Sequence, residues 1–293
     1  MTRLFTGASA AVTTPFKNNA VDFEAFKRHL TFLKDEGSQA FVVNGTTGEG
    51  STLSAEEKAE CLKLAVEVAN GDIAVIAGTG TNNTAQSIQL SKEAEALGVD
   101  ALLIITPYYN KTSQKGLLAH FTAIADSVTI PIILYDVPAR TGMSIAVETL
   151  EAAAKHKHIV GLKDATGDLV HLSRLQAVVD EEFSFYSGND ELALPFFAQG
   201  GHGIISVLAN VLPREYQQLY ETALTDPKKA LEIHQALFPL VDALGVDVNP
   251  IPIKALTSHI GFGDYSLRLP LLPLEDQEVS ILTDLFDHTR KED

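Results

Sequence analysis

Ala101-Leu102-Leu103-Ile104-Ile105, Ile130-Pro131-Ile132-Ile133-Leu134 and Ile159-Val160-Gly161-Leu162 are three short apolar runs at even spacing, and their recurrence decides the fold. Each has the length of a strand, and none alternates apolar with polar residues. That pattern suits strands buried on both faces, the usual environment of a parallel sheet. Working outward, similar runs occur at residues 8–12, 40–43, 73–77, 183–186 and 203–207. Amphipathic segments of helical period lie between them, for example at 22–36, 54–70, 82–97 and 144–155. Ser54 with Glu57 three residues on has the spacing of a capping box. Strand followed by helix therefore occurs eight times, with strand starts about 28 residues apart on average. Eight such units in about 220 residues match a closed (β/α)8 TIM barrel. A doubly wound open sheet also alternates strand and helix, but even spacing without a large insertion favours ring closure.

The rhythm changes near residue 226. Residues 228–241 and 278–291 have helical patterns, whereas 248–252 and 267–273 are rich in Pro and cannot form regular helix interiors. The expected division is a catalytic barrel over 1–225 and a C-terminal helical domain over 226–293.

Among 293 residues, 45% are apolar, enough for a large core. Twenty-two Lys and Arg against 38 Asp and Glu give a formal charge of −16. Such a surface repels a nucleic-acid backbone and an anionic membrane leaflet, so neither is an expected partner. The single Cys61 cannot form an intrachain disulfide, residues 8–12 are too short a run for a secretory signal, and no stretch approaches the roughly 18 apolar residues of a spanning helix. A cytoplasmic setting is expected.

In a barrel the chemistry sits where the strands end, so the residues closing each apolar run matter most. Lys163 closes Ile159-Val160-Gly161-Leu162. An amine in an apolar barrel mouth is desolvated, which lowers its pKa and makes it a nucleophile for carbonyl carbons. A lysine at that position could instead snorkel to solvent or pair with the adjacent Asp164. Lys254, after Pro250-Ile251-Pro252-Ile253, is a competing candidate whose prolines suggest a helix start away from the strand ends. Tyr135 closes its own run as Lys163 does and could relay protons. Thr46 and Thr47, flanked by Gly45 and Gly48, offer hydroxyl and backbone donors for a small carboxylate, or form a tight turn into the next helix. Arg140 could grip a second carboxylate or make a surface ion pair. The nine His residues are scattered, and no His/Cys cluster has metal-ligand spacing. Neither a metal nor an organic cofactor is expected.

Together, Gly45-Thr46-Thr47-Gly48-Glu49, Pro107-Tyr108-Tyr109-Asn110-Lys111, Tyr135-Asp136-Val137-Pro138-Ala139-Arg140-Thr141, Gly161-Leu162-Lys163-Asp164 and Tyr186-Ser187-Gly188-Asn189-Asp190 resemble the motifs of the dihydrodipicolinate synthase family. Asn249-Pro250-Ile251-Pro252-Ile253-Lys254 resembles that family's C-terminal segment, and the likeness is colinear from about Leu4 to past Pro270. The resemblance implies a lyase of class I aldolase type, acting at the first committed step of diaminopimelate and lysine biosynthesis. In that reaction pyruvate forms an imine with Lys163 and condenses with L-aspartate 4-semialdehyde. The resemblance further implies a proton relay of Tyr135, Thr47 and Tyr109, with Tyr109 entering a neighbouring subunit's site in a homodimer or homotetramer. Thr46 and Thr47 would hold the pyruvate carboxylate, Arg140 the semialdehyde carboxylate, and Gly188 and Ile205 would line the pocket. Lyases acting on sialic acid or 2-keto-3-deoxy sugar acids share the lysine and tyrosine but tend to differ at the threonine pair and to lack the arginine. A non-catalytic keto-acid sensor is the remaining alternative. Departures from the family pattern are Asp136 and Ala139 where Asn and Gly are common, Gly50 where Ser is common, and Ala55 and Lys58 where lysine-inhibited members often carry His.

Overall fold

The apolar runs form a ring of strands. In chain order these are β1 (Gly7–Ala11), β2 (Ala40–Val43), β3 (Ala74–Gly78), β4 (Ala101–Ile105), β5 (Ile132–Asp136), β6 (Ile159–Asp164), β7 (Ser184–Ser187) and β8 (Gly203–Ser206). All pair in parallel, and β1 pairs with both β8 and β2, so the barrel is closed. The coordinates are a computed structural model and describe residues 3–290. Each strand is followed by a helix: α1 (Phe23–Asp35), α2 (Ala55–Ala69), α3 (Thr84–Ala96), α4 (Gln114–Ala125), α5 (Val147–Ala153), α6 (Leu169–Gln176), α7 (Ala193–Ala198) and α8 (Pro213–Ala223). The capping box forms at α2, where the Ser54 hydroxyl accepts from the Glu57 N–H and the Glu57 carboxylate accepts from the Ser54 N–H.

Successive side chains on a strand point to opposite faces. One set, including Val42, Ile76, Leu103, Ile133, Tyr135 and Ile205, packs inside the barrel. The other, including Phe41, Val75, Leu102, Leu134 and Leu162, joins the core beneath the helices. Burial on both sides explains why the runs lack alternation. Phe5 plugs the N-terminal end, its ring 4.3 Å from that of Tyr186, whose hydroxyl donates to the Phe5 carbonyl.

Two local differences from the sequence reading have simple causes. β5 begins after Pro131, which has no N–H to donate, and runs on through Tyr135 and Asp136 because these pair with Lys163 and Asp164 of β6. A hairpin of Phe16–Lys17 and Ala20–Val21 escapes notice because two-residue strands carry no readable period. Beyond the barrel lie α9 (Pro227–Ala243), α10 (Ile251–His259) and α11 (Asp276–Thr289). Of the pattern at 278–291, Lys291 lies outside the described residues. Pro252 is accommodated in the first turn of α10, where its missing N–H costs no helical bond. No helix of the described residues is long and apolar enough to cross a membrane.

Candidate active site

The register of β5 and β6 sets Tyr135 directly beside Lys163, and both point inward. The Lys163 Nζ lies 4.5 Å from the centre of the Tyr135 ring. Lys163 is only 6% exposed. Burial pulls its ammonium down to about 8, partly opposed by the Asp190 carboxylate and assisted by the Arg140 guanidinium. Desolvation pushes the Tyr135 phenol up to about 12, so it stays protonated and able to donate. Asp164, one residue on, faces the opposite side of the strand and accepts from the Thr166 N–H at 2.8 Å. The alternative pairing of Lys163 with Asp164 is therefore absent, and so is snorkelling.

Asp136 likewise faces outward. Its Oδ2 accepts from the Ser144 hydroxyl at 2.7 Å and the Ile145 N–H at 2.8 Å, so an acceptor-only side chain suits the position. Asp190, in the Tyr186–Asp190 motif, carries a role that its sequence position does not announce. Itself buried, it accepts from the N–H groups of Val207 and Leu208 at 3.0 and 2.9 Å, and its carboxylate raises the Lys163 pKa against the effect of burial. Gly188 keeps that space open: a Cβ there would lie 3.0 Å from Lys163 Cε and 2.8 Å from the Ala165 methyl. Ile205, on β8, belongs to the same inner wall.

The loop after β2 closes the other side. Asn44 and Glu49 both adopt positive φ, at 61° and 51°, and fold the loop back on itself. Gly50 answers to that fold, since a Cβ would collide with the Asn44 carbonyl oxygen. Thr46 and Thr47 both line the cavity with Tyr135, and the Thr46 side chain is close enough to oppose the rise of the phenol pKa. Thr47 also meets the helical region, its Oγ1 accepting from Asn249 Nδ2 at 3.0 Å.

That contact corrects the expectation that Lys254 lies away from the strand ends. Residues 249–254 lean over the barrel mouth, and Lys254 Nζ is 2.5 Å from Glu49 Oε1, with side chains 2% and 1% exposed. Glu49 also accepts from the Arg268 N–H at 3.0 Å. Burial lowers the Lys254 amine to about 8 as it does Lys163, but Glu49 occupies it in a buried ion pair and it does not line the cavity that holds Lys163. Arg140 lies in the single helical turn Pro138–Thr141 after β5, where its Nη2 donates to the Asn249 carbonyl at 2.9 Å.

Thr46, Thr47, Tyr135, Arg140, Lys163 and Gly188 all line one cavity of about 220 Å³ at the strand ends. Tyr109 is not among them. It stands 92% exposed on the loop after β4, at a φ of 68°. An adjoining cavity of about 370 Å³ reaches Ser51, Lys58, Gln86 and Tyr108. Desolvation lowers the Lys58 pKa there, while Ala55 opens α2 on the exposed surface. Among the described residues no three His, Cys, Asp or Glu side chains gather to hold a metal.

A buried, easily deprotonated lysine at the carboxyl end of a closed (β/α)8 barrel, flanked by a phenol and a hydroxyl loop, defines a barrel enzyme built around an amine. Sequence comparison makes the class specific: residues 4–289 match the Dihydrodipicolinate synthetase family, and the chain belongs to that family. It is 51% identical over 287 residues to the 4-hydroxy-tetrahydrodipicolinate synthase of Macrococcus caseolyticus, covering 98% of this chain and 97% of the relative. The dihydrodipicolinate synthase structure from Aquifex aeolicus superposes with a TM-score of 0.95 at 40% identity, covering 98% of each chain. That of the chloride-inhibited Acinetobacter baumannii enzyme complexed with pyruvate gives 0.94 at 38% identity, covering 97% of this chain and 99% of the other.

Proposed function

We propose that this protein condenses pyruvate with L-aspartate 4-semialdehyde, the 4-hydroxy-tetrahydrodipicolinate synthase reaction. The observation that carries the proposal is the pairing, on adjacent strands, of a desolvated Lys163 amine with the Tyr135 phenol, inside a family of lyases. The neutral amine adds to C2 of pyruvate, the carbinolamine hydroxyl takes up a proton and leaves as water, and an iminium ion results. This electron sink lets the methyl group lose a proton and become an enamine carbon, which attacks the aldehyde carbon of the semialdehyde while the aldehyde oxygen takes up a proton. The amino group of that second substrate then adds to C2 and expels the lysine, closing the ring and restoring the amine.

Tyr135, with the hydroxyl of Thr47 and the neighbouring Thr46 beside it in the cavity, moves protons at the reacting carbon. Thr46 and Thr47 hold the pyruvate carboxylate, Gly188 and Ile205 shape the pocket around it, and Arg140 receives the semialdehyde carboxylate at the rim. Tyr109, fully displayed to solvent by a left-handed backbone, completes the relay of a second subunit in a homodimer or a homotetramer of such pairs. The catalytic barrel spans residues 1–225 and the helical domain 226–293, in a cytoplasmic enzyme.

The rival substrates are sugar acids, and Arg140 separates the readings. Removing a charge-assisted contact costs about 1.5–3 kcal/mol, so Arg140→Ala is expected to raise the semialdehyde KM roughly 10- to 100-fold. Pyruvate imine formation on Lys163, followed by borohydride reduction and mass measurement, is expected to persist in that variant. Unchanged turnover of the semialdehyde would contradict the assignment.

A further inference from the structure

Asn249 belongs to the helical region, yet it reaches two groups at the barrel mouth. Its Nδ2 donates to Thr47 Oγ1 at 3.0 Å, its backbone carbonyl accepts from Arg140 Nη2 at 2.9 Å, and it lines the same cavity as Lys163. A threonine hydroxyl has one proton and two lone pairs. When an amide donor occupies a lone pair, the hydroxyl proton must point elsewhere, and among the described residues no protein acceptor takes it. The free direction is the cavity that Thr47 lines.

The amide is firmly mounted. Five residues on, Lys254 is buried against Glu49, two residues beyond Thr47 in the same loop, and Arg268 holds the other Glu49 oxygen. The donor and the hydroxyl it meets are thus parts of one clasp between the helical region and the loop after β2. A carboxylate accepts hydrogen bonds and offers none, so a keto acid requires the threonine proton to be presented to it.

We propose that Asn249 is a positioning residue for keto-acid binding: its amide turns the Thr47 hydroxyl proton into the cavity, where that proton meets the pyruvate carboxylate. The inference rests on Thr47 holding that carboxylate, as in the reaction proposed above. It assigns to the helical region a direct part in recognising the first substrate.

The test uses the full chain and compares Asn249→Ala, Asn249→Asp, Thr47→Val and the Asn249→Ala/Thr47→Val double variant. Asn249→Ala frees the hydroxyl to rotate, and the pyruvate KM is expected to rise roughly 3- to 10-fold. Asn249→Asp is expected to raise it further, by roughly 30-fold, because a carboxylate there accepts the Thr47 proton itself and repels the incoming anion. In Asn249→Ala the effect is expected to fall chiefly on the pyruvate KM rather than on kcat, since the backbone carbonyl that holds Arg140 is kept. In the Thr47→Val background, Asn249→Ala is expected to add less than about twofold, because the hydroxyl it orients is gone.

An Asp variant with the parental pyruvate KM would overturn the proposal, since it would mean that the amide oxygen receives the threonine proton. The same factor for Asn249→Ala with and without the Thr47 hydroxyl would overturn it too, by making the residue a general support of the loop. A Thr47→Val variant with unchanged pyruvate KM would remove its premise and overturn it. Failure of the underlying reaction looks different: the parental protein would then yield no borohydride-trapped pyruvate adduct at all.

Discussion

Replacing Lys163 by Ala is expected to lower kcat by about 10³-fold or more while leaving the barrel folded, because the step lost is covalent. That factor corresponds to a barrier increase of about 4 kcal/mol. The combination of outcomes carries the information. A buried ammonium held at about 8 by desolvation contributes little to folding; its removal relieves a desolvated charge and leaves a small void next to Gly188. Thermal melting is therefore expected to stay close to that of the parent, and steady-state kinetics with pyruvate and the semialdehyde supply the other half of the comparison. A variant that kept more than a tenth of parental kcat would mean that another group forms the bond to the keto acid.

The opposite profile is expected at the second buried lysine. Lys254 and Glu49 are almost inaccessible to water and 2.5 Å apart. Lys254→Met leaves the Glu49 carboxylate buried, with the Arg268 N–H as its remaining hydrogen-bond donor. Breaking one side of a buried pair typically costs about 3–5 kcal/mol. In a chain of 293 residues that loss lowers Tm by roughly 5–8 °C. Converting both residues together, Lys254→Met with Glu49→Leu, is expected to recover much of the loss, because the uncompensated charge goes with its partner. Melting curves of the two variants check this, and a double variant no more stable than the single one would contradict it. The pair spans 205 residues of sequence, so its loss is also expected to loosen the segment carrying Asn249 over the mouth.

These two lysines show where the sequence is informative. Lys163 is legible because its environment is local: the apolar residues before it set the strand, and the strand end sets its surroundings. The eight-fold recurrence of apolar runs is legible for the same reason, since burial on both faces erases alternation within each run. Lys254 is not, because nothing near it in sequence announces Glu49. Its prolines describe the start of α10 correctly, but they carry no information about which end of the barrel that helix approaches. The threonine pair is a finer case. Thr46 and Thr47 are adjacent and chemically alike, and the choice between them depends on how the positive φ of Asn44 and Glu49 turns the loop. The result is that Thr46 faces Tyr135 and Thr47 faces Asn249. Asp190 is not legible either, because a carboxylate three residues past a strand has the sequence signature of a cap, and its effect on the Lys163 amine comes from a different strand.

Trapping the pyruvate imine with borohydride across a range of pH and mapping the modified peptide tests the role of Lys163 head-on. One covalent adduct is expected, on Lys163, whose rate of formation at limiting pyruvate rises as pH increases through about 8, the value to which burial brings the amine, because only the neutral form attacks. An adduct on Lys254 or another lysine, or no adduct at any pH, would contradict that role.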